Sequence, residues 1–141
     1  MATFKDYLEN NSLLILHGAL GTEMEALGYD ISGKLWSAKY LLEKSEVIQE
    51  LHETYVAAGA DLITTSSYQA ILPGLVEAGL TEKAAEQIIV LTVRLAKAAR
   101  DKVWGALDET EKAKRPYPLI SGDVGPYAAY LANGSEYSGD Y

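Results

Sequence analysis

One histidine and two short runs of hydroxyl side chains hold most of the chemistry that this chain of 141 residues can offer. His17 stands directly after the apolar run Leu13–Leu16, and the flexible turn Gly18-Ala19-Leu20-Gly21 follows it. Thr64, Thr65, Ser66 and Tyr68 close a second apolar run, and Ser121-Gly122-Asp123 closes a third. An imidazole, hydroxyls and a carboxylate at such positions can hold a polar small molecule by hydrogen bonds and can exchange a proton with it. The same side chains also serve to satisfy loop backbone groups. The chain has no cysteine, so it offers no thiolate, and its two histidines, His17 and His52, are not at metal-ligand spacing. Ser-x-x-Lys and Gly-x-Ser-x-Gly are absent, and the turn after His17 lacks the lysine of a phosphate loop.

These residues need elements to position them. Leu13–Leu16 is short, continuously apolar and bounded by Asn10-Asn11-Ser12 and Gly18, which reads as a buried strand. Thr22-Glu23-Met24-Glu25 then begins a helical pattern, where Glu23 and Glu25 favour the helix dipole. A short entry helix fits Phe4–Leu8, and another fits Trp36–Leu42, with Trp36 a large ring suited to core packing. Ser45 reads as the N-cap of a helix over Glu46–Ala58, whose apolar face is Val47, Ile48, Leu51, Tyr55 and Ala58. His52 falls near that stripe as a core-edge or surface residue, and Gly59 is placed as a C′ glycine.

A second strand covers Ala60–Ser66, and a turn-rich segment runs through Pro73-Gly74 to Gly79-Leu80. Thr81 caps the longest helix, about Glu82–Val103, with the stripe Ala85, Ile88, Ile89, Thr92, Leu95, Ala96, Ala99 and Val103. Asp108–Arg115 reads as a solvated connection, and Pro118–Gly122 as a third strand. The Tyr- and Gly-rich stretch from Gly125 through Tyr130 to Glu136-Tyr137 suits a loop that lines a pocket with rings and hydroxyls.

Alternating strands and helices specify a parallel sheet in an α/β fold. A parallel sheet needs cover on both faces or closure into a barrel. Three strands with two main helices supply neither, so the pattern reads as the first part of a larger α/β protein, with open edges that favour self-association. In such sheets the C-terminal strand ends face the ligand, which brings His17, Thr64–Tyr68 and Ser121–Asp123 to one side.

Composition narrows the function classes. Hydrophobic content of 48% and charged content of 23% belong to a chain that folds around a core. A net charge of −8 argues against nucleic-acid and anionic-membrane partners. No apolar run reaches the roughly 18 residues of a membrane span, and the polar N-terminus is unlike a signal peptide. With no cysteine to form disulfides, a cytoplasmic location is the default expectation.

Four segments resemble the homocysteine S-methyltransferase family: LHGALGTEMEALGYD, LWSAKYLLE, YVAAGADLITTSSYQA and GDVGPYAAYLANGSEYSGDY. They occur in the family's order and span about Leu13 to Tyr141, nearest to the bacterial and plant enzymes that use S-methylmethionine. The resemblance implies a (β/α)₈ TIM-type barrel of about twice this length, of which residues 1–141 are the N-terminal portion with about three βα units. It implies methyl transfer from a sulfonium donor, S-methylmethionine or S-adenosylmethionine, to homocysteine. It further implies a zinc ion held by three cysteines, none of them in this chain, so the chain alone is expected to bind no zinc and to be inactive.

Carried over by position, the family's Asp that contacts the homocysteine amino group is His17 here. A neutral imidazole can accept that hydrogen bond, whereas a protonated one repels the ammonium. Gly18 and Trp36 match positions that shape the homocysteine pocket. Thr65, Ser66 and Tyr68 match the second strand's end, and Glu23 matches a carboxylate near the same site. The alternative is a non-catalytic α/β domain whose strand-end loops bind an amino acid or a protein partner, a reading supported by the lack of cysteine.

Overall fold

Two long helices lie back to back because each carries one apolar stripe, and the sheet segments line up behind them. The computed structural model describes residues 3–10, 13–33, 35–131 and 133–141. Helix α1 (Phe4–Asn10) and helix α2 (Leu20–Ala26) flank the apolar run. A 3-10 turn at Trp36–Ala38 leads into α3 (Lys39–Glu43), and α4 (Ser45–Ala57) follows. Strand β1 (Leu62–Thr64) comes next, then α5 (Leu72–Glu77) and α6 (Glu82–Ala106). Helix α7 (Glu109–Lys112), strand β2 (Leu119–Ser121), α8 (Tyr127–Leu131) and α9 (Ser135–Ser138) complete the order.

The stripe read for α6 is the one that packs: Ala85, Thr92, Leu95, Ala96 and Ala99 are buried. Thr81 caps this helix by accepting the Ala84 N–H at 3.2 Å. On α4 the buried face is Val47, Ile48, Leu51, His52 and Val56, so Ala58 is exposed and His52 belongs to the core instead of its edge. The four-residue step from Ile48 to His52 and on to Val56 makes one continuous helical row, which explains the shift. Ser45 is the first helical residue, not the cap; Lys44 occupies that place without a side-chain cap bond. Gly59 adopts φ +106°, and the N–H of Ala60 bonds back to the Tyr55 carbonyl at 3.0 Å, which closes the helix. Arg115 then covers the same end, donating to the carbonyls of Val56 at 2.9 Å and Ala60 at 3.1 Å.

Two segments read as irregular are partly helical. Pro73 sits in the first turn of α5, where its missing N–H is harmless, and Asp108 with Glu111 forms a capping box on α7. The Tyr- and Gly-rich stretch holds α8 and α9.

Strands β1 and β2 pair in parallel with Leu62 opposite Leu119, Ile63 opposite Ile120 and Thr64 opposite Ser121. The run before His17 lies along the other edge of β1. Asp61 and Leu62 donate to the Ile15 carbonyl at 2.8 and 3.1 Å, and His17 donates to the Leu62 carbonyl at 3.1 Å. It forms a single bridge, Leu16 with Leu62, instead of the expected full strand. Nor is it buried: Leu13 is 80% exposed, Ile15 58% and Leu16 55%. Its apolarity suits cover on both sides, and among the described residues it has a strand partner, β1, along one edge only. Ile63, fully buried, points to Val56, Ala60 and Ala96 under the helices, while Leu62 and Thr64 point the other way. No helix among the described residues is long and apolar enough to cross a membrane.

Candidate substrate cleft at the strand ends

The sheet ends in polar residues on one side of the molecule, and the loops that leave it enclose a cleft of ≈ 750 Å³. His17, Gly18, Thr64, Thr65, Ser66, Tyr68 and Asp123 all line it. Their convergence follows from parallel pairing: every strand runs in the same direction, so every C-terminal end opens on the same side.

His17 is half-buried, and its Nε2 is hydrogen-bonded to the Thr64 hydroxyl on the neighbouring strand. The ring meets Tyr55 edge-on at 5.3 Å and His52 at 6.0 Å between centroids. Burial lowers its pKa, against the opposing pull of the Asp123 carboxylate, so the neutral ring is favoured. Behind it His52 is fully enclosed, with neither ring nitrogen hydrogen-bonded among the described residues. Burial, with the neighbouring His17, pushes the His52 pKa down to about 4.

Packing against Tyr55 favours glycine at position 18. A Cβ there would lie 2.7 Å from the Tyr55 ring, whose hydroxyl donates to the Ala19 carbonyl at 3.1 Å. The turn after His17 is thereby held against α4.

Thr65 is the buried keystone of the second strand end, at 2% exposure. Its Oγ1 accepts the Asp123 N–H at 2.9 Å and lies 2.7 Å from Ser67 Oγ, which donates to the Asp123 carbonyl at 2.5 Å. Since the Ser67 proton goes to Asp123, the proton between the two hydroxyls belongs to Thr65. The arrangement clamps the backbone of Asp123 from both sides. Two residues on, Gly125 packs so closely that a Cβ would come 2.1 Å from the Tyr68 carbonyl oxygen. Tyr68 has its pKa raised by burial and by the nearby Glu136, Tyr137 and Asp123.

Of the other site expectations, Glu23 does not line the cleft; it occupies the first turn of α2 near Tyr55, and Glu25 lines the cleft instead. The side chain of Trp36 lies outside the described residues, while its neighbour Ser37 lines the cleft. Asp123 was read as one of the ligand-facing strand-end residues without a matched role, and Glu136 only as part of a pocket loop; both line the cleft. Their usable signal was their position after a strand and within a Tyr-rich loop; neither forms a sequence motif alone.

A profile of the homocysteine S-methyltransferase family matches residues 14–141. The chain belongs to that family. It is 43% identical to homocysteine S-methyltransferase YbgG of Bacillus subtilis over 141 residues, all of this chain and 44% of that protein. With homocysteine S-methyltransferase 1 of Zea mays it shares 42% over 127 residues, 90% of this chain and 39% of that one. The structure superposes on the metallated form of the Escherichia coli homocysteine methyltransferase MmuM with a TM-score of 0.80 at 43% identity. That match covers 96% of this chain and 45% of the other, so the fold here is a portion of the homocysteine methyltransferase fold. The chain spans less than half the length of these relatives.

A thiolate-bound zinc does not fit the residues at hand. The chain has no cysteine, and no group of three or more His, Cys, Asp or Glu among the described residues could hold a metal. The cleft offers hydrogen-bonding groups instead.

Proposed function

We propose that this chain forms the substrate-holding portion of a homocysteine S-methyltransferase, in which a methyl group passes from a sulfonium donor to the sulfur of homocysteine. The carrying observation is the cleft at the parallel strand ends, lined by His17, Thr64–Ser66, Tyr68 and Asp123 within the family-matched region. S-methylmethionine and S-adenosylmethionine are the proposed donors. In the reaction a thiolate displaces a neutral thioether: one carbon–sulfur bond forms as the other breaks, so alignment of the two sulfurs is the protein's main task.

The residues of this chain contribute binding and orientation. Neutral His17, Gly18 and the Thr65 network set one wall, and Tyr68 with Ser66 sets the end of β1. Trp36 matches a position that shapes the acceptor pocket in the family, and Glu23 supports the wall through the first turn of α2. Residues beyond this chain would complete a (β/α)₈ barrel and supply the cysteines for zinc; none of the present residues takes that role. The exposed Leu13, Ile15 and Leu16 edge supports self-association of the chain when it stands alone.

Methyl transfer from S-methylmethionine to homocysteine, assayed with the longest protein that the coding sequence specifies, tests this reading. Methionine formation that His17→Leu reduces at least tenfold is the expected result. Amino-acid binding without methyl transfer by that longest product would favour the non-catalytic binding domain, for which the absence of cysteine speaks.

A further inference from the structure

Beside the strand-end cleft lies a second, smaller pocket of ≈ 350 Å³, set between α5 and α8. Leu35, Ile71 and Ala78 give it apolar walls, and Gln69, Glu77 and Tyr130 bring polar groups to it. The Tyr130 hydroxyl donates to the Glu77 carboxylate, which ties α8 to α5 and fixes the ring at the pocket wall. Gly74 keeps the helix surface bare beside that ring; a Cβ there would already lie 3.7 Å from it and 3.6 Å from Ile71. The half-buried side-chain amide of Gln69 has no hydrogen bond among the described residues. Gln69 also lines the larger cleft, so the two cavities meet at its side chain.

A free amide, an aromatic ring and a carboxylate thus surround one apolar space. An amide presents a donor and an acceptor together, which matches the exocyclic amino group of adenine and the ring nitrogen next to it. A tyrosine ring stacks on a base, and a carboxylate accepts hydrogen bonds from ribose hydroxyls. No lysine or arginine is among the lining residues, so nothing there would hold a phosphate. We infer that this pocket takes an adenine nucleoside without phosphates. The adenosyl group of S-adenosylmethionine has that form, and a free nucleoside thioether shares it. Its link to the methyl donor rests on the substrate reading above: with the nucleoside seated here, the sulfonium extends past Gln69 into the larger cleft. S-methylmethionine has no group that would fill the pocket.

The test is a calorimetric titration of the chain with methylthioadenosine and with methylthioinosine, in which a carbonyl replaces the exocyclic amino group. A preference for methylthioadenosine on the order of 10-fold is expected from the paired bonds of one amide. Gln69→Leu should remove that preference while methylthioinosine binds about as before. Tyr130→Leu should weaken both nucleosides on the order of 10-fold and Tyr130→Phe much less, since the ring remains. Amide spectra confirm that each variant is folded. A chain that binds neither nucleoside, or a folded Gln69→Leu protein that keeps the full preference, overturns the inference. Kinetics of the longest protein that the coding sequence specifies then separate the two sources. A larger rise in KM for S-adenosylmethionine than for S-methylmethionine in Gln69→Leu assigns the pocket to the donor, and equal changes assign it to a free nucleoside. Methionine formation by a protein that binds no nucleoside would sink this inference and leave the methyl-transfer reading standing; nucleoside binding without methyl transfer would do the reverse.

Discussion

The α4–α6 pair covers the Ile63 face of β1 and the cleft opens at the strand's C-terminal end, and the two regions differ in how their chain ends and edges are closed. In the helix pair, Ile48, Val56, Ala96 and Ala99 are fully buried and the ends are closed by Thr81, Gly59 and Arg115; the exceptions are the His52 ring nitrogens and Arg115 Nε, buried without partners among the described residues. On the cleft side, His17 Nδ1, Ser66 Oγ and Glu136 Oε2 are buried without partners among the described residues, and Leu13, Ile15 and Leu16 are largely exposed. Apart from His52 and Arg115 Nε, the first region is closed by the residues of this chain. The second awaits groups from outside it, which is the usual division between a scaffold and a site.

Substitutions can break that contrast, beginning with the scaffold. Ile48→Ala, in the fully buried row of α4, should cost about 2–5 kcal/mol in urea unfolding, enough to leave a chain of this size only marginally folded. Gly125→Ala meets a backbone carbonyl instead of a movable side chain, so a loss of about 3 kcal/mol is expected. Because the displaced backbone leads to Asp123, binding of the proposed amino-acid substrate should fall further than that stability loss alone explains.

His52 sharpens the comparison because it belongs to the scaffold by burial and touches the site through His17. Its folded pKa of about 4 lies below the ordinary 6.5, so the unfolded chain binds the extra proton between these values. Stability is therefore full above pH 6.5 and is lost as pH falls toward 4, by about 2 kcal/mol between pH 6.5 and 5. His17, also shifted downward, adds a change of the same sign. Urea midpoints measured across this range should fall with pH, and His52→Leu should flatten the slope; an unchanged slope would place the titrating group elsewhere.

The smallest effect is expected at the open edge. Leu13→Lys should change stability by no more than about 0.5 kcal/mol, since the side chain is 80% exposed. Sedimentation of the same variant should nonetheless show less self-association than the unmodified chain, because a charged edge resists pairing.

Much of the scaffold was legible in the residues. Thr81 and the spacing from Ala85 to Ala99 specify α6 locally, since hydrogen bonds four residues apart and a 3.6-residue period are properties of neighbours. Gly59 announces the end of α4 by the same local logic. His52 was harder to place, because a histidine in an apolar row is polar by type and its burial depends on what faces it. Pro73-Gly74 was read as part of a turn-rich segment, although a proline is also compatible with the first turn of a helix.

The site divides along the same line. His17, Thr65, Ser66 and Tyr68 were recognisable as ends of apolar runs, and parallel pairing brings them together. Asp123 and Glu136 carry no pattern that marks them as a pair; they are 13 positions apart and share the cleft only because α8 and α9 fold back over it. By itself the sequence determined the two long helices, the Thr81 cap and the Gly59 stop, the parallel order and the family. Only the tertiary structure decided which carboxylates are left unpaired, that Glu25 rather than Glu23 reaches the cleft, and that the run before His17 is uncovered. Local periodicity follows from backbone geometry within a few residues, whereas burial and charge pairing depend on groups that the fold brings in from far along the chain.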